Sequence, residues 1–260
     1  DSDEADIAKN LEDKNSEHFS ERVTISYPPR SFCPHCGEQL RWYHNIPVFS
    51  WLFLRGKCGF CSTKISFRYP LVEMLSALFA YLCLTHFGLG PTGILLYIFC
   101  CTLIVISFID IDYFIIPNVI TYPGTVICIG IAVINEFTSF FSKPVVTGLW
   151  DCFLGLLLGA GFLLAISEGY LRLRKKEGLG LGDVKLLAVT GALLGMEGSL
   201  YTIFMGSLLG SFIGLILIVF AGRKASQYIP FGPYLALATV LYIFTGMDAL
   251  HYIMGLALRA

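Results

Sequence analysis

From Tyr69 onward the chain is almost continuously apolar, in seven runs near or above the length a helix needs to cross a bilayer. The hydrocarbon core is about 30 Å thick, and a helix rises about 1.5 Å per residue, so roughly 20 residues span it. The runs cover about 70–87, 92–109, 117–137, 149–171, 184–197, 199–221 and 231–246. The fifth is short and leaves room for a partly re-entrant path. Glycine and proline punctuate the gaps, at Gly88–Pro91, Pro117, Pro144, Gly178–Gly182, Gly195–Gly198 and Pro230–Pro233. Only 14% of the 260 residues are charged, against roughly a quarter in soluble domains. The expected class is an all-α polytopic membrane protein, with the lipid bilayer as its first partner. The net charge of −1 gives no sign of a nucleic-acid partner, and none is expected.

The first 68 residues are different. Eight of the nineteen carboxylates lie between Asp1 and Glu21. Residues 1–22 therefore read as an acidic lead-in, disordered or not native to the protein, and no signal-peptide pattern opens the chain. Residues 23–68 read as a small region stapled by cysteine, residues 69–246 as the membrane core, and residues 247–260 as a short tail. CPHC at Cys33–Cys36 and CGFC at Cys58–Cys61 are separated by 21 residues. Two such knuckles match a tetrathiolate zinc site, because each Cys-x-x-Cys turn points two sulfurs at one ion. Disulfides or unmetallated thiols are the alternatives. Four thiolates leave no open coordination position, so the zinc is structural. His35 and His44 read as surface or packing residues. Cys83, Cys100, Cys101, Cys128 and Cys152 lie in apolar runs and read as packed small hydrophobes.

Positive charge alternates from loop to loop. Arg30, Arg41, Arg55, Lys57, Lys64 and Arg68 precede the first run, Arg172, Arg174, Lys175 and Lys176 follow the fourth, and Arg223 and Lys224 follow the sixth. The intervening loops carry none or only Lys143. The positive-inside rule places the basic segments in the cytoplasm. Asp110, Asp183 and the cysteine pairs fall on that same side.

Ionisable residues in membrane segments are costly and often functional. The candidates are Glu73, Asp110, Asp112, Asp151, Glu168 and Asp183. Asp112, Asp151 and Glu168 sit near helix ends, where solvation explains them. Glu73 pairs with Arg68 or serves a site. Asp110 closes the apolar stretch CTLIVISFI, and Pro117 helps end its helix. Asp183 follows GLGLG and opens the next helix, where a plain N-cap is the simplest role for it. The glycines before it, Gly180 and Gly182 among them, cost backbone entropy. They make sense where a backbone such as a substrate strand approaches closely. Two aspartates can hydrolyse an amide by sharing one proton, one activating water and the other protonating the carbonyl oxygen. No GxSxG motif offers a serine nucleophile.

These residues resemble the bacterial type IV prepilin peptidases, which are leader peptidases and N-methyltransferases. The resemblance runs from about Tyr27 to Leu235. CPHCGEQLRWYHNIPVFSWLFLRGKCGFCSTKISFRYPLVEMLSALF is similar to the family's cytoplasmic zinc region and following helix. FIDIDYFIIPNVITYP is similar to its first aspartate motif, GLGLGDVKLLAVTGALLG to its GxGD motif, and IPFGPYLALA to its last-helix motif. The combination is specific; GxGD alone would be weak. The motif register selects Asp110 over Asp112 and maps the second acid to Asp183. The family usually begins with one more membrane helix, so seven runs correspond to eight minus one.

The resemblance implies cleavage of a basic leader from prepilins or pseudopilins at the cytoplasmic face of the inner membrane. It also implies methylation of the new N-terminal amine with S-adenosylmethionine. Glu73, within the matching YPLVE segment, is the candidate for the methyl-transfer or amine-binding site. Two other readings stay open at this stage. One is a dyad peptidase without methyl transfer. The other is a non-enzymatic transporter or scaffold, against which no clear internal repeat and no midplane acid speak.

Overall fold

The computed structural model describes residues 31–33, 35–174, 180–221 and 230–246. The acidic lead-in, the C-terminal tail and the basic residues Arg30, Lys175, Lys176, Arg223 and Lys224 lie outside the described residues. Two compact units divide within one helix, after Ala77.

The first unit is built on the cysteine pairs. A 3-10 turn at Trp42–Asn45 leads to α1 (Phe49–Phe53), and the unit ends in the first turns of α2 (Arg68–Phe87). Isolated bridges pair Phe32 with Gln39 and Lys57 with Lys64. No longer strand occurs among the described residues.

The second unit is helical throughout. It contains α3 (Pro91–Tyr113), α4 (Asn118–Thr138), α5 (Leu149–Leu156), a π-helical turn (Leu157–Gly161), α6 (Phe162–Arg174), α7 (Leu181–Ala221) and α8 (Gly232–Thr245). Five helices are long and apolar enough to cross a membrane, counting α5 to α6 as one, and α8 is a shorter apolar helix. In lipid, every backbone polar group must find its partner inside the protein, which is why the spans are helices.

The fifth and sixth apolar runs are separate because α7 is not straight. Gly195 has φ 70° and ψ −163° in its middle. A Cβ on Gly159 would lie 2.7 Å from Leu187 O and 3.1 Å from Ser199 Oγ. A straight helix would hold those two residues about 18 Å apart. The chain therefore folds back at Gly195, and residues 181–194 and 196–221 form two arms. The first arm is about 21 Å long at 1.5 Å per residue, short of a full crossing, as the length of the fifth run anticipated.

Glycines let these arms pack. GLLLG at Gly155–Gly159 faces GALLG at Gly191–Gly195, and a Cβ on Gly155 would overlap the Gly191 carbonyl and lie 2.7 Å from Gly195 C. Small residues four apart allow this backbone approach between membrane helices. Ser199 Oγ donates to Gly155 O at 2.8 Å across the same contact. The second arm runs antiparallel to α8. Gly198 meets Tyr242, Gly206 meets Leu235 and Gly210 meets Phe231, with the Thr202 and Thr239 hydroxyls 3.3 Å apart between them.

Away from the aspartates, residues 139–148 close the start of α3, the end of α4 and the Gly195 turn of α7. Buried Asn135 donates to Phe141 O and Val146 O and accepts the Phe141 N–H. Ser142 N–H donates to Thr92 Oγ1 at 2.9 Å, and Val146 N–H to Leu193 O at 2.9 Å.

Overpacking a close helix contact costs about 1–3 kcal/mol. Gly155→Val should therefore lower the Tm of the purified chain in detergent by several degrees. Gly130→Val, where no atom lies within 4 Å of the added Cβ, should leave it unchanged.

Candidate active site and metal centre

Asp110 sits in the last turn of α3. The helix ends because Phe114 turns left-handed, at φ 55°, and donates its N–H to Asp110 O at 2.9 Å. The carboxylate points inward and is only 5% exposed. Its Oδ2 accepts the Gly232 N–H at 2.9 Å, from the first residue of α8 and 122 residues along the chain. That N–H is one of the orphan donors at a helix start, which suits a carboxylate. A side chain at position 232 would crowd the acid, since its Cβ would lie 2.7 Å from Oδ2 and 3.1 Å from Cγ. Asp112, two residues on, is exposed.

Asp183 lies in the first turn of α7, partly exposed, with its N–H donating to Gly180 O at 3.1 Å. The two motifs are stitched together in three places. A Cβ on Gly182 would press on Ile116 Cβ at 3.1 Å, so this glycine permits packing against the Asp110 loop. Lys185 Nζ donates to Asn118 Oδ1 at 2.7 Å and lies 5.5 Å above the Tyr122 ring. Val189 packs on Gly124, with a Cβ there 3.5 Å from Cγ1. Asp110, Gly232, Asp183, Gly180 and Gly182 thus lie where one end each of α3, α7 and α8 meet.

The other membrane acids have structural partners. Asp151 Oδ1 accepts the Met196 N–H at 3.1 Å and so secures the Gly195 turn. Glu168 pairs with Arg172 at 3.0 Å. Glu136 Oε2 accepts the Leu149 N–H at 2.9 Å. A cavity of about 420 Å³ beside Glu136, Asp151 and Trp150 lies at the end of the unit away from Asp110 and Asp183. In the first unit, Glu73 Oε2 accepts the Val48 N–H at 2.7 Å.

The four knuckle cysteines converge. Their sulfurs all lie within 4.8 Å of one another, and Cys33 Sγ is 3.9 Å from Cys61 Sγ. A tetrahedral ion with bonds near 2.3 Å would set sulfurs about 3.8 Å apart. Both knuckles repeat one backbone plan. Cys33 N–H donates to Glu38 O while Gly37 N–H donates back to Cys33 O; Cys58 N–H donates to Thr63 O while Ser62 N–H donates back to Cys58 O. Gly37 and Ser62 occupy the same step with φ 70° and 58°. Hydrogen bonding by the Thr63 hydroxyl and backbone pulls the Cys61 thiol down to about 6, while its neighbour Cys36 is pushed up to about 11. All nine cysteines are free of disulfides. The group therefore suits a metal ion. His35 is exposed, and His44 packs on Tyr43, Phe60 and Gly59 outside the sulfur cluster.

Residues 17–87 match the bacterial peptidase A24 N-terminal domain, and residues 97–216 match the type IV leader peptidase family. A prepilin leader peptidase/N-methyltransferase of Aeromonas hydrophila is 38% identical over 210 residues, covering 81% of this chain and 69% of that protein. Proteins of the same description from Xanthomonas campestris pv. campestris and Pseudomonas aeruginosa are each 36% identical. They cover 83% and 81% of this chain and 72% and 69% of their own lengths. This chain belongs to the type IV leader peptidase family. No solved structure matches it. As a member of this family it is a multi-pass membrane aspartic peptidase, and its site geometry can be read in those terms.

Two features of this leader peptidase escape sequence reasoning. Gly232 was visible only as part of the IPFGPYLALA motif, with nothing to show that its N–H holds an acid. The Lys185–Asn118 bond joins two motifs whose contact no spacing announces. A double-mutant cycle on Lys185→Met and Asn118→Ala should give a coupling of about 1 kcal/mol. Thermal unfolding of the four proteins in detergent measures it.

Proposed function

We propose that this chain removes the basic leader of type IV prepilins or pseudopilins with Asp110 and Asp183, then methylates the new N-terminal amine. The observation that supports the reading is a buried Asp110, held by the Gly232 N–H, whose following loop packs through Ile116 on Gly182, the neighbour of Asp183. Two carboxylates that feel each other's charge hold one proton between them. The ionised acid takes a proton from water as its oxygen attacks the scissile carbonyl. The protonated acid gives its proton to the carbonyl oxygen. Collapse of the tetrahedral intermediate breaks the C–N bond, and the amine leaves with a proton. The Gly232 bond fixes one carboxylate oxygen of Asp110 and leaves Oδ1 for the water. Both acids lie at helix ends, where an extended substrate can reach from the membrane edge. The charge pattern of the loops favours the cytoplasmic face of the inner membrane for this site.

Methyl transfer would follow on the released amine once it is deprotonated, and S-adenosylmethionine would supply the methyl group there. Glu73 is the candidate group for the amine or the methyl donor. Its Oε2 is taken by Val48 N–H, which leaves Oε1 for a cationic partner.

The experiment uses the full chain in detergent with a prepilin, labelled S-adenosylmethionine and a pre-cleaved pilin peptide. Asp110→Asn and Asp183→Asn should each abolish leader cleavage while label still enters the pre-cleaved peptide. Asp112→Asn should cleave at near the wild-type rate. Cleavage by either of the first two mutants at the wild-type rate would overturn the dyad. Cleavage without label transfer would leave a peptidase alone.

Cys33, Cys36, Cys58 and Cys61 would hold one structural zinc ion. Their four sulfurs would fill its coordination shell, so the metal would tie the two knuckles together and take no part in hydrolysis. Elemental analysis should find about one zinc per chain and much less in Cys58→Ser. Thiols bind metal only when deprotonated. Acidification well below about 6, the metal-free value of Cys61, should release the ion as protons compete for the sulfurs, and raising the pH should not.

A further inference from the structure

We infer that the segment from Trp42 to Phe53 lies in the membrane interface, as a lipid-contacting foot that holds the cysteine unit against an acidic phospholipid surface. The argument starts from exposure. Trp42 is 79% exposed, Phe49 62%, Leu52 64% and Phe53 84%. Large apolar patches of this kind on a small unit mark a surface that another medium covers. In α1, Phe49, Leu52 and Phe53 follow the spacing that places side chains on one helix face.

The depth of this face is set by hydrogen bonds within the unit. Val48, immediately before α1, donates its N–H to Glu73 Oε2 at 2.7 Å. Trp51 Nε1 donates to Ile65 O at 3.1 Å, and its ring meets Phe67 at 5.5 Å. Ile65 N–H in turn donates to Gly56 O at 2.7 Å. The start of α1 is therefore tied to the entry of α2, which is long and apolar enough to cross the membrane. Glu73 lies five residues into that helix from Arg68, or about 7 Å along its axis. Interfacial helices bury their apolar face about 5–10 Å deep, at the boundary between headgroups and acyl chains. The pinning thus puts Phe49, Leu52 and Phe53 at the depth where such residues are stable.

Charge selects the lipid. Residues 31–68 carry Arg41, Arg55, Lys57, Lys64 and Arg68 against Glu38 alone. Basic side chains next to exposed aromatics fit anionic headgroups with indole and phenyl rings below them. A neighbouring protein would need a matching acidic, apolar face, and a plain aqueous location leaves the four apolar side chains unexplained.

The test uses the full chain in vesicles of phosphatidylethanolamine and phosphatidylglycerol. Benzoylphenylalanine replaces Phe53 or Trp42, both largely exposed positions, and His35 at a knuckle tip as the control. After irradiation, mass spectrometry identifies the adducts. The expected result is phospholipid adducts at positions 53 and 42 several-fold above those at position 35. Adducts to a second copy of the chain, or lipid adducts no more frequent than at position 35, would overturn the inference. This outcome is independent of peptidase activity, since no catalytic group is altered.

Discussion

The contact between Gly155 and Gly191 is the point on which the membrane unit turns. In lipid there is no hydrophobic gain from bringing two apolar helices together, so association depends on close packing and on the few polar bonds that reach across. Here two Gly-x-x-x-Gly segments bring backbone against backbone, and Ser199 adds a hydroxyl bond at the same place. The reversal at Gly195 then follows. Both arms of α7 must lie beside α5, and the Asp151 carboxylate secures the turn by accepting the Met196 N–H. With the first arm fixed, its open end presents Asp183 to the Asp110 loop. The second arm meanwhile carries the groove into which α8 fits.

The site is assembled from helix ends, each with a different function. The end of α3 supplies a buried acid, the start of α7 a second acid, and the start of α8 a donor for the first. Gly182 and Gly232 are small for a steric reason, one facing Ile116 and the other the Asp110 carboxylate. Lys185 and Asn118 add a polar tie beside them. Of the two glycines before Asp183 that looked suited to substrate approach, Gly182 packs against Ile116 and Gly180 stays exposed.

Much of this was legible in the residues. Apolar run length predicted the long apolar helices because lipid thickness and helix rise leave little choice. The seven runs correspond to helical segments, including the two arms that share one continuous helix assignment. The paired Cys-x-x-Cys turns predicted convergence of four sulfurs, since the knuckle geometry is local. Motif register pointed to Asp110 rather than Asp112, and the two differ sharply in burial. The Gly-x-x-x-Gly pairs were present in the text of the chain, but which helices they join is a tertiary fact. The roles of Asp151 and Gly232 were illegible for the same reason: each acts on a backbone group far along the chain. Burial cost alone could not separate Asp151, which holds a turn, from an acid with chemistry to do.

The bond from Gly232 to Asp110 also has a consequence in time. Synthesis runs from the N-terminus, so α3 and α7 leave the ribosome before α8 exists. A chain at that stage carries both acids but lacks the amide that meets the first. The Asp110 carboxylate takes its Gly232 partner only once α8 has followed α3 and α7 into the membrane.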